Sequence, residues 1–425
     1  MRRLKLSKYL IFVNNKDGDL IVYSTLYNNL SLIKKDKYKF FTTLLQNINE
    51  ARMTDTNYLE LLNNNIVCFE DVDEEKIATD KYDSVIDSKE QMSIIILPTE
   101  KCNFRCIYCY EDFKGEKMST ETMSNIVKFV EHKLRDHKSL FVSWFGGEPL
   151  LAMDAIRSLS NNFLEKCKKA KKSYIAGITT NGYLLNVDTI RELISLHVLN
   201  YQITIDGNEK THNINRPLAN GSHTYDRILK NLLEIKQKVK TSTIQIIIRV
   251  NVTKSISQFD IDQLVNLFID DKRFVFNIQK ANDYSGENHH LLKDMGEYFE
   301  MLCCTKNQMN EIPNLDNTIC YATKNNAFVI RSDGTLCKCT VHFSERNNIC
   351  NINEKLDWNL IDNFKFCNCN SNKDVCKNCI IFPLCLGNKC PASNEIDCIK
   401  EIKYISLCVK NQSQKAKLIK FDDSD

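Results

Sequence analysis

The chain has 425 residues, 19 of them cysteine, and a formal net charge of +3 from 57 basic and 54 acidic side chains. The length suggests two or three domains, and 43% hydrophobic content excludes wholesale disorder. The near-neutral balance leaves no electrostatic footprint for nucleic acid or a membrane surface. Disulfide scaffolds are mostly short secreted chains. Here the first apolar run, residues 9–13, is too short for a secretory signal. No stretch approaches the ~18 apolar residues of a membrane span. A cytoplasmic chain whose cysteines hold metal or clusters is expected.

Residues 1–92 read as a separate unit. Two β-rich runs, 9–13 and 20–24, flank Asp17-Gly18, a hairpin signal. A third apolar run follows at 30–33. Asp36 is placed to cap a helix through Phe40, Phe41, Leu44 and Leu45; a second helix falls near 58–62 and a strand at 66–69. That order suggests a winged helix, and the acidic stretch 70–90 reads as a linker.

Residues 93–300 alternate strand and helix. Strands are expected at 93–97, 140–145, 174–180, 201–206, 244–252 and 274–279. The helices between them include one with Met123, Val127, Val130 and Leu134 on one face. Six β/α repeats predict an α/β fold, a complete or partial parallel barrel. Residues 301–425 lose this rhythm and hold 14 of the cysteines; metal or cluster binding would supply the stability that a small core lacks. Glycine is scarce, yet Gly146, Gly147, Gly182 and Gly207 fall at C-terminal ends of expected strands, where barrel active sites lie. Close approach to a ligand and tight β/α turns are both open readings of these glycines.

Immediately after the first barrel strand comes Cys102-Asn103-Phe104-Arg105-Cys106-Ile107-Tyr108-Cys109. Three thiolates on one loop can hold three irons of a [4Fe–4S] cubane and leave the fourth open. Zinc and ferredoxin sites normally take four protein ligands. This C-x3-C-x2-C loop, with an aromatic before its last cysteine, resembles that of the radical S-adenosylmethionine (radical SAM) enzymes. The resemblance implies a partial (β/α)6 TIM-like barrel. In that family S-adenosylmethionine chelates the open iron and is cleaved by a cluster electron to a 5′-deoxyadenosyl radical. It places Tyr108 against the adenine, Gly146-Gly147-Glu148-Pro149 at the methionine amino group, and Thr180-Asn181 in the third-strand element. Thr204 and Asp206 fall in the ribose or carboxylate element, with Thr replacing the usual Ser, and Arg216 at the carboxylate.

The later cysteines resemble the SPASM extension of peptide-modifying radical enzymes, with one extra residue near Gly387-Asn388. By that resemblance two auxiliary [4Fe–4S] clusters are expected. Cys376, Cys379, Cys385 and Cys408 would hold one. Cys320, Cys339 and Cys390 would hold the other, with Cys337 a candidate fourth ligand or the site open to a substrate cysteine. Cys303, Cys304, Cys350, Cys367, Cys369 and Cys398 have no assignment, and a zinc ribbon at 376–390 is the rival for that segment alone.

Residues 1–92 resemble a winged-helix leader-recognition domain, which binds a precursor peptide by adding it to a sheet edge; residues 30–33 are the candidate edge. Thirteen Lys and Arg against fifteen Asp and Glu in this unit argue against DNA. The expected function is maturation of a leader-bearing, Cys-rich ribosomal peptide by thioether formation, with flavodoxin or ferredoxin as electron donor. The alternatives are a carbon–carbon (cyclophane) crosslink, or formylglycine generation in a sulfatase. Against the sulfatase alternative, Thr340 follows Cys339 where an acid is usual. A non-catalytic zinc-containing binding module is the rival of another class. No residue is assigned as a general base.

Overall fold

The computed structural model describes residues 3–52, 54–113, 115–281, 290, 293–294, 296, 298, 312–314, 318–341, 347–366, 376–386 and 398–422. It divides into two units. The first comprises residues 1–87, 310–324 and 367–425, the second 88–309 and 325–366. The region expected as one domain, 301–425, is thus shared between them.

The first unit opens with β1 (Leu4–Leu6), β2 (Leu10–Asn14), β3 (Leu20–Ser24) and β4 (Asn29–Ile33). Helices α1 (Tyr38–Gln46) and α2 (Thr56–Asn63) follow, then β5 (Val67–Phe69), antiparallel to β1. Strands β2, β3 and β4 form an antiparallel meander. Asp36 does not cap α1; it lies in a 3-10 turn, Lys35–Lys37, that leads into the helix. The presumed linker is largely helical: α3 spans Glu74–Ile86. Its acids start the helix, where negative charge complements the exposed amides. Asp73 caps it by accepting from Lys76 N at 3.0 Å, and buried Glu74 accepts from Ser7 Oγ at 2.5 Å.

The second unit begins with β6 (Gln91–Ile96) and continues through α4 (Thr120–Lys133), β7 (Ser139–Trp144), α5 (Met153–Ala170) and β8 (Ser173–Thr180). Next come α6 (Val187–Ser195), β9 (Val198–Thr204), α7 (Glu209–Asn215) and α8 (Tyr225–Lys238). The run ends with β10 (Gln245–Val252), α9 (Gln258–Asn266) and β11 (Phe274–Lys280). Strands β6 to β11 are all parallel and lie in sequence order. Helix α5 buries one stripe on the sheet through Ile156, Leu159, Phe163 and Cys167, three or four residues apart.

Beyond β6 the sheet is extended by β12 (Ala327–Ile330), parallel to it, then by β13 (Thr335–Cys337) and β14 (Asn348–Asn351), both antiparallel. A short α10 (Trp358–Asn363) stacks its Trp358 ring on His132 of α4, centroids 3.6 Å apart. The hairpin is tied to the loop after β6 by a bidentate ion pair. Arg331 donates from Nε and Nη2 to Glu100 at 3.1 and 2.5 Å, and Ser332 Oγ adds a bond at 3.1 Å.

The chain then returns to the first unit with α11 (Phe382–Cys385), α12 (Cys398–Asn411) and β15 (Lys417–Leu418). The meander is covered on both faces. Leu10, Leu20, Val22 and Ile33 face α1 and α2; Ile11, Ile21 and Tyr23 face Ile405 and Val409 of α12. Strand β15 pairs parallel with β4, so residues 30–33 are not a free edge. A two-residue strand leaves no periodic signal in a sequence, and its partner lies at the other end of the chain.

Glu100 is 1% exposed, so Arg331→Ala leaves a buried carboxylate without its counter-charge. Denaturant unfolding should show a loss of about 3 kcal/mol. Arg331→Lys should recover only part of it, because a single ammonium cannot form the fork.

Candidate active site

The parallel strands end around a cavity of about 340 Å³ within the second unit, the size of a small-molecule site. Cys102, Cys106 and Cys109 all line it, together with Tyr108, Gly146, Gly147, Thr180, Asn181, Thr204 and Arg216. The 102–109 loop is held in place through its backbone. Arg105 N donates to Pro217 O at 2.9 Å and Ile107 N to Asn215 O at 3.0 Å; Ala219 N donates to Asn103 O at 2.8 Å. On its other side, Gly147 N and Glu148 N donate to Thr99 O and Lys101 O.

That second contact explains two glycines. A Cβ on Gly146 would stand 2.4 Å from Thr99 O, and one on Gly147 would stand 2.4 Å from Lys101 O. Their bare α-carbons admit the backbone of the cysteine loop. Gly182 and Gly207 are turn residues against core side chains: their nearest neighbours are Ile203 and Ile228, and Asp260 and Ile256. Neither lines the cavity. For those two positions the tight-turn alternative describes the structure.

Glu148 lies behind the wall. It is fully buried, and its carboxylate accepts from Thr180 Oγ1 at 2.8 Å, Asn181 N at 2.7 Å and Leu150 N at 3.0 Å. Burial raises its pKa; these donors work the other way. With its oxygens so engaged and no place on the cavity surface, Glu148 positions Thr180 and Asn181, which do line the cavity. Pro149, also buried, begins the 3-10 turn that follows.

Tyr108 is the centre of a polar network. Its hydroxyl donates to Asp206 Oδ2 at 2.5 Å and accepts from Arg216 Nη1 at 2.8 Å and Asn251 Nδ2 at 3.1 Å. Asp206 also accepts from Asn251 N at 3.1 Å, and its own N donates to His212 Nδ1. Asp206 is wholly buried and does not line the cavity; burial pushes its carboxyl up, while Arg216 pulls the other way. Burial opposes the Arg216 charge, yet the neighbouring Cys106, Tyr108 and Asp206 keep it firmly cationic. Arg216 Nε is buried without a partner among the described residues, and the residue lines the cavity wall.

Burial pushes the Cys102 thiol up to about 12 and Cys109 to about 11, and raises Cys106 as well. Iron loading would therefore release protons here. Among the described residues no three His, Cys, Asp or Glu side chains converge tightly enough for a single ion. A cubane makes a different demand, one thiolate at each of three corners. Three thiols lining one cavity fit it.

Gln202, Thr179, Phe145, Arg249 and Asn251 also line the wall. Gln202 was legible as the residue two before Thr204 on β9, hence on the same face of the strand. Arg249 and Asn251 stand in the same relation on β10 and are bonded at 2.8 Å.

The other expected ligands divide between the units. Cys337 and Cys339 lie in the second, where Asn347 holds their loop by accepting from Lys338 N and Cys339 N at 2.9 Å. Cys320, Cys376, Cys379, Cys385 and Cys408 lie in the first. There Cys376 and Cys379 pack with Tyr9 and Phe382, and Cys408 is buried on α12. Cys390, like Cys303, Cys304, Cys367 and Cys369, lies outside the described residues.

Tyr108→Phe would strip Asp206, Arg216 and Asn251 of their shared partner. Unfolding measurements should show a loss of about 1–3 kcal/mol; an unchanged midpoint would mean that the network is not formed.

Comparison with known proteins agrees with this geometry. Residues 96–256 match the family described as the radical SAM superfamily. The radical SAM cyclopropyl synthase TigE of Paramaledivibacter caminithermalis is 22% identical over 331 residues, 63% of this chain and 68% of that one. Two solved structures share the fold. One is native anSMEcpe with bound AdoMet and Kp18Cys peptide: 19% identity, TM-score 0.59, covering 76% of this chain and 98% of that one. The other is Streptococcus suis SuiB bound to precursor peptide SuiA: 17% identity, TM-score 0.50, covering 91% and 95%. The chain spans about half to two thirds of the first curated relatives that it matches. Residues 96–256, with their three-cysteine loop at the cavity, are a radical SAM domain.

Proposed function

We propose that this chain is a radical SAM peptide maturase that forms a crosslink in a ribosomally made precursor. The observation that carries the reading is the set of three thiols lining one cavity at the strand ends, beside the cationic Arg216. The family implies a [4Fe–4S] cluster and S-adenosylmethionine. Cys102, Cys106 and Cys109 would hold the cluster, which when bound supplies the electron for reductive cleavage of S-adenosylmethionine to a 5′-deoxyadenosyl radical. Arg216 supplies positive charge for a carboxylate. Asn181, Gln202 and Thr204 offer hydrogen bonds to the rest of the molecule, and Phe145 an apolar surface. The peptide substrate is supported by the fold shared with two proteins solved with bound peptides. The cysteine-rich remainder supports two auxiliary clusters as electron acceptors, and a flavodoxin or ferredoxin as donor.

Thioether formation is the favoured chemistry. The similarity to a cyclopropyl synthase makes carbon–carbon bond formation the second reading. Both remove two hydrogens from the peptide, but only the thioether consumes a thiol.

Anaerobic reconstitution should give iron and sulfide for three clusters. Cys102→Ala/Cys106→Ala/Cys109→Ala should lose one cluster and all 5′-deoxyadenosine formation. Iron for one cluster in the unaltered chain would overturn the auxiliary clusters; no 5′-deoxyadenosine would overturn the enzyme reading. With a candidate precursor, mass analysis should show loss of two hydrogens per crosslink, and one fewer cysteine alkylated by iodoacetamide.

A further inference from the structure

Strand β15 is the start of a longer extended segment. After Lys417 and Leu418 pair with Ser31 and Leu32, Ile419 N donates to Leu32 O at 2.9 Å. Ile419 is 3% exposed, in the cluster formed by Leu10, Val22, Ile33 and Phe41. Lys420 points to solvent, and Phe421 turns in again, its ring 5.5 Å from Phe40 and 6.3 Å from Phe41. Asn57 of α2 closes the far end with paired bonds to the backbone: its Nδ2 donates to Asp422 O at 3.0 Å, and its Oδ1 accepts from Asp422 N at 2.8 Å. An amide side chain bonded to both backbone groups of one residue reads main chain and not side-chain identity.

The segment is therefore seated as a peptide ligand is seated: strand addition on one side, two apolar anchors at alternate positions, and a backbone clamp beyond them. The seat is also incompletely used. Strand β4 has five residues, but β15 pairs with only two of them. Beneath it the Ser31 hydroxyl, 1% exposed, has no partner among the described residues. Lys417 reaches Glu60 only at 3.7 Å, with its side chain 63% exposed, a pair of little worth.

We propose that the groove between β4, α1 and α2 is a peptide-docking site whose present occupant, residues 417–422, is an internal competitor. An extended segment of the peptide substrate, apolar at alternate positions and long enough to pair along all of β4, displaces it. This rests on the peptide-maturase reading for the identity of the incoming chain; the groove and its internal occupant do not. The consequence is a threshold: an incoming peptide must outbid a tethered segment, so weakly matched peptides are refused before they reach the cavity.

The test uses the full-length, iron-loaded protein and a fluorescent synthetic peptide copying residues 414–423. Ile419→Asp/Phe421→Asp removes both anchors of the internal segment. This variant should bind the probe at least about tenfold more tightly than the unaltered chain, by fluorescence anisotropy. Adding Asn57→Ala should weaken that binding about tenfold. Equal binding to both proteins, or no binding to a variant whose circular dichroism and iron content are unchanged, overturns the proposal. Should the variant not fold, hydrogen exchange on the unaltered chain decides. The Ile419 amide should exchange through a local opening, faster than the Ile21 and Val22 amides of β3; equal protection overturns the proposal. These readouts involve no turnover. A chain that binds the probe but makes no 5′-deoxyadenosine refutes the enzyme reading alone, and the reverse pattern refutes the gate alone.

Discussion

The arrangement of the second unit depends on how one loop satisfies its backbone. Residues 102–109 carry three thiols at a cavity and have no regular secondary structure, so their amides need outside acceptors. They find them in the carbonyls of Asn215 and Pro217. In return, Thr99 and Lys101 offer carbonyls to Gly147 and Glu148. The rest follows from that exchange. The strand-two turn must lack side chains to come close enough. The stretch after α7 must pass the loop, and in doing so it brings Arg216 to the cavity wall. The geometry of the thiols is set by main-chain contacts, which a side chain at Gly146 or Gly147 would disrupt.

Buried carboxylates do the remaining organising. Glu100, Glu148 and Asp206 are each 1% exposed or less, and each accepts several hydrogen bonds. None is on the cavity surface. In low dielectric such networks are stiff, because any displaced donor leaves a strongly disfavoured charge. Glu148 and Asp206 stand one layer behind the cavity and hold groups that line it: Thr180 and Asn181, and Tyr108 and Asn251. A site built this way can receive an anionic ligand without repelling it, and the polar groups meeting that ligand are already oriented.

Much of this was legible in the sequence. The six strands are legible because each is a β-branched or aromatic run between helix-period segments; 244–252 differs from Gln245–Val252 by one residue. The cysteine loop was unmistakable because its spacing and its place after a strand carry chemistry. What escaped depends on direction or distance. Motif identity does not say which way a side chain points, so the bonds of Glu148 to Thr180 and Asn181 are visible only in the structure. Helix α3 was hidden because its few apolar residues sit among acids that serve as its cap and first turn. The pairing of β15 with β4 joins segments from opposite ends of the sequence, and no local pattern encodes it.

The extension of the sheet past β6 bears on how the protein comes into being. Strand β6 is the first of the parallel series, and its outer neighbour β12 lies beyond the whole series in sequence; the ion pair across this seam joins residues 231 positions apart. While the chain is emerging, all six parallel strands can assemble with the outer edge of β6 still bare. An unpaired edge with residues as apolar as Ile94, Ile95 and Ile96 is an invitation to the wrong strand. The hairpin β12–β13–β14 therefore does for the nascent protein what it does for the mature one: it is the late-arriving cover that keeps the barrel from pairing with its neighbours.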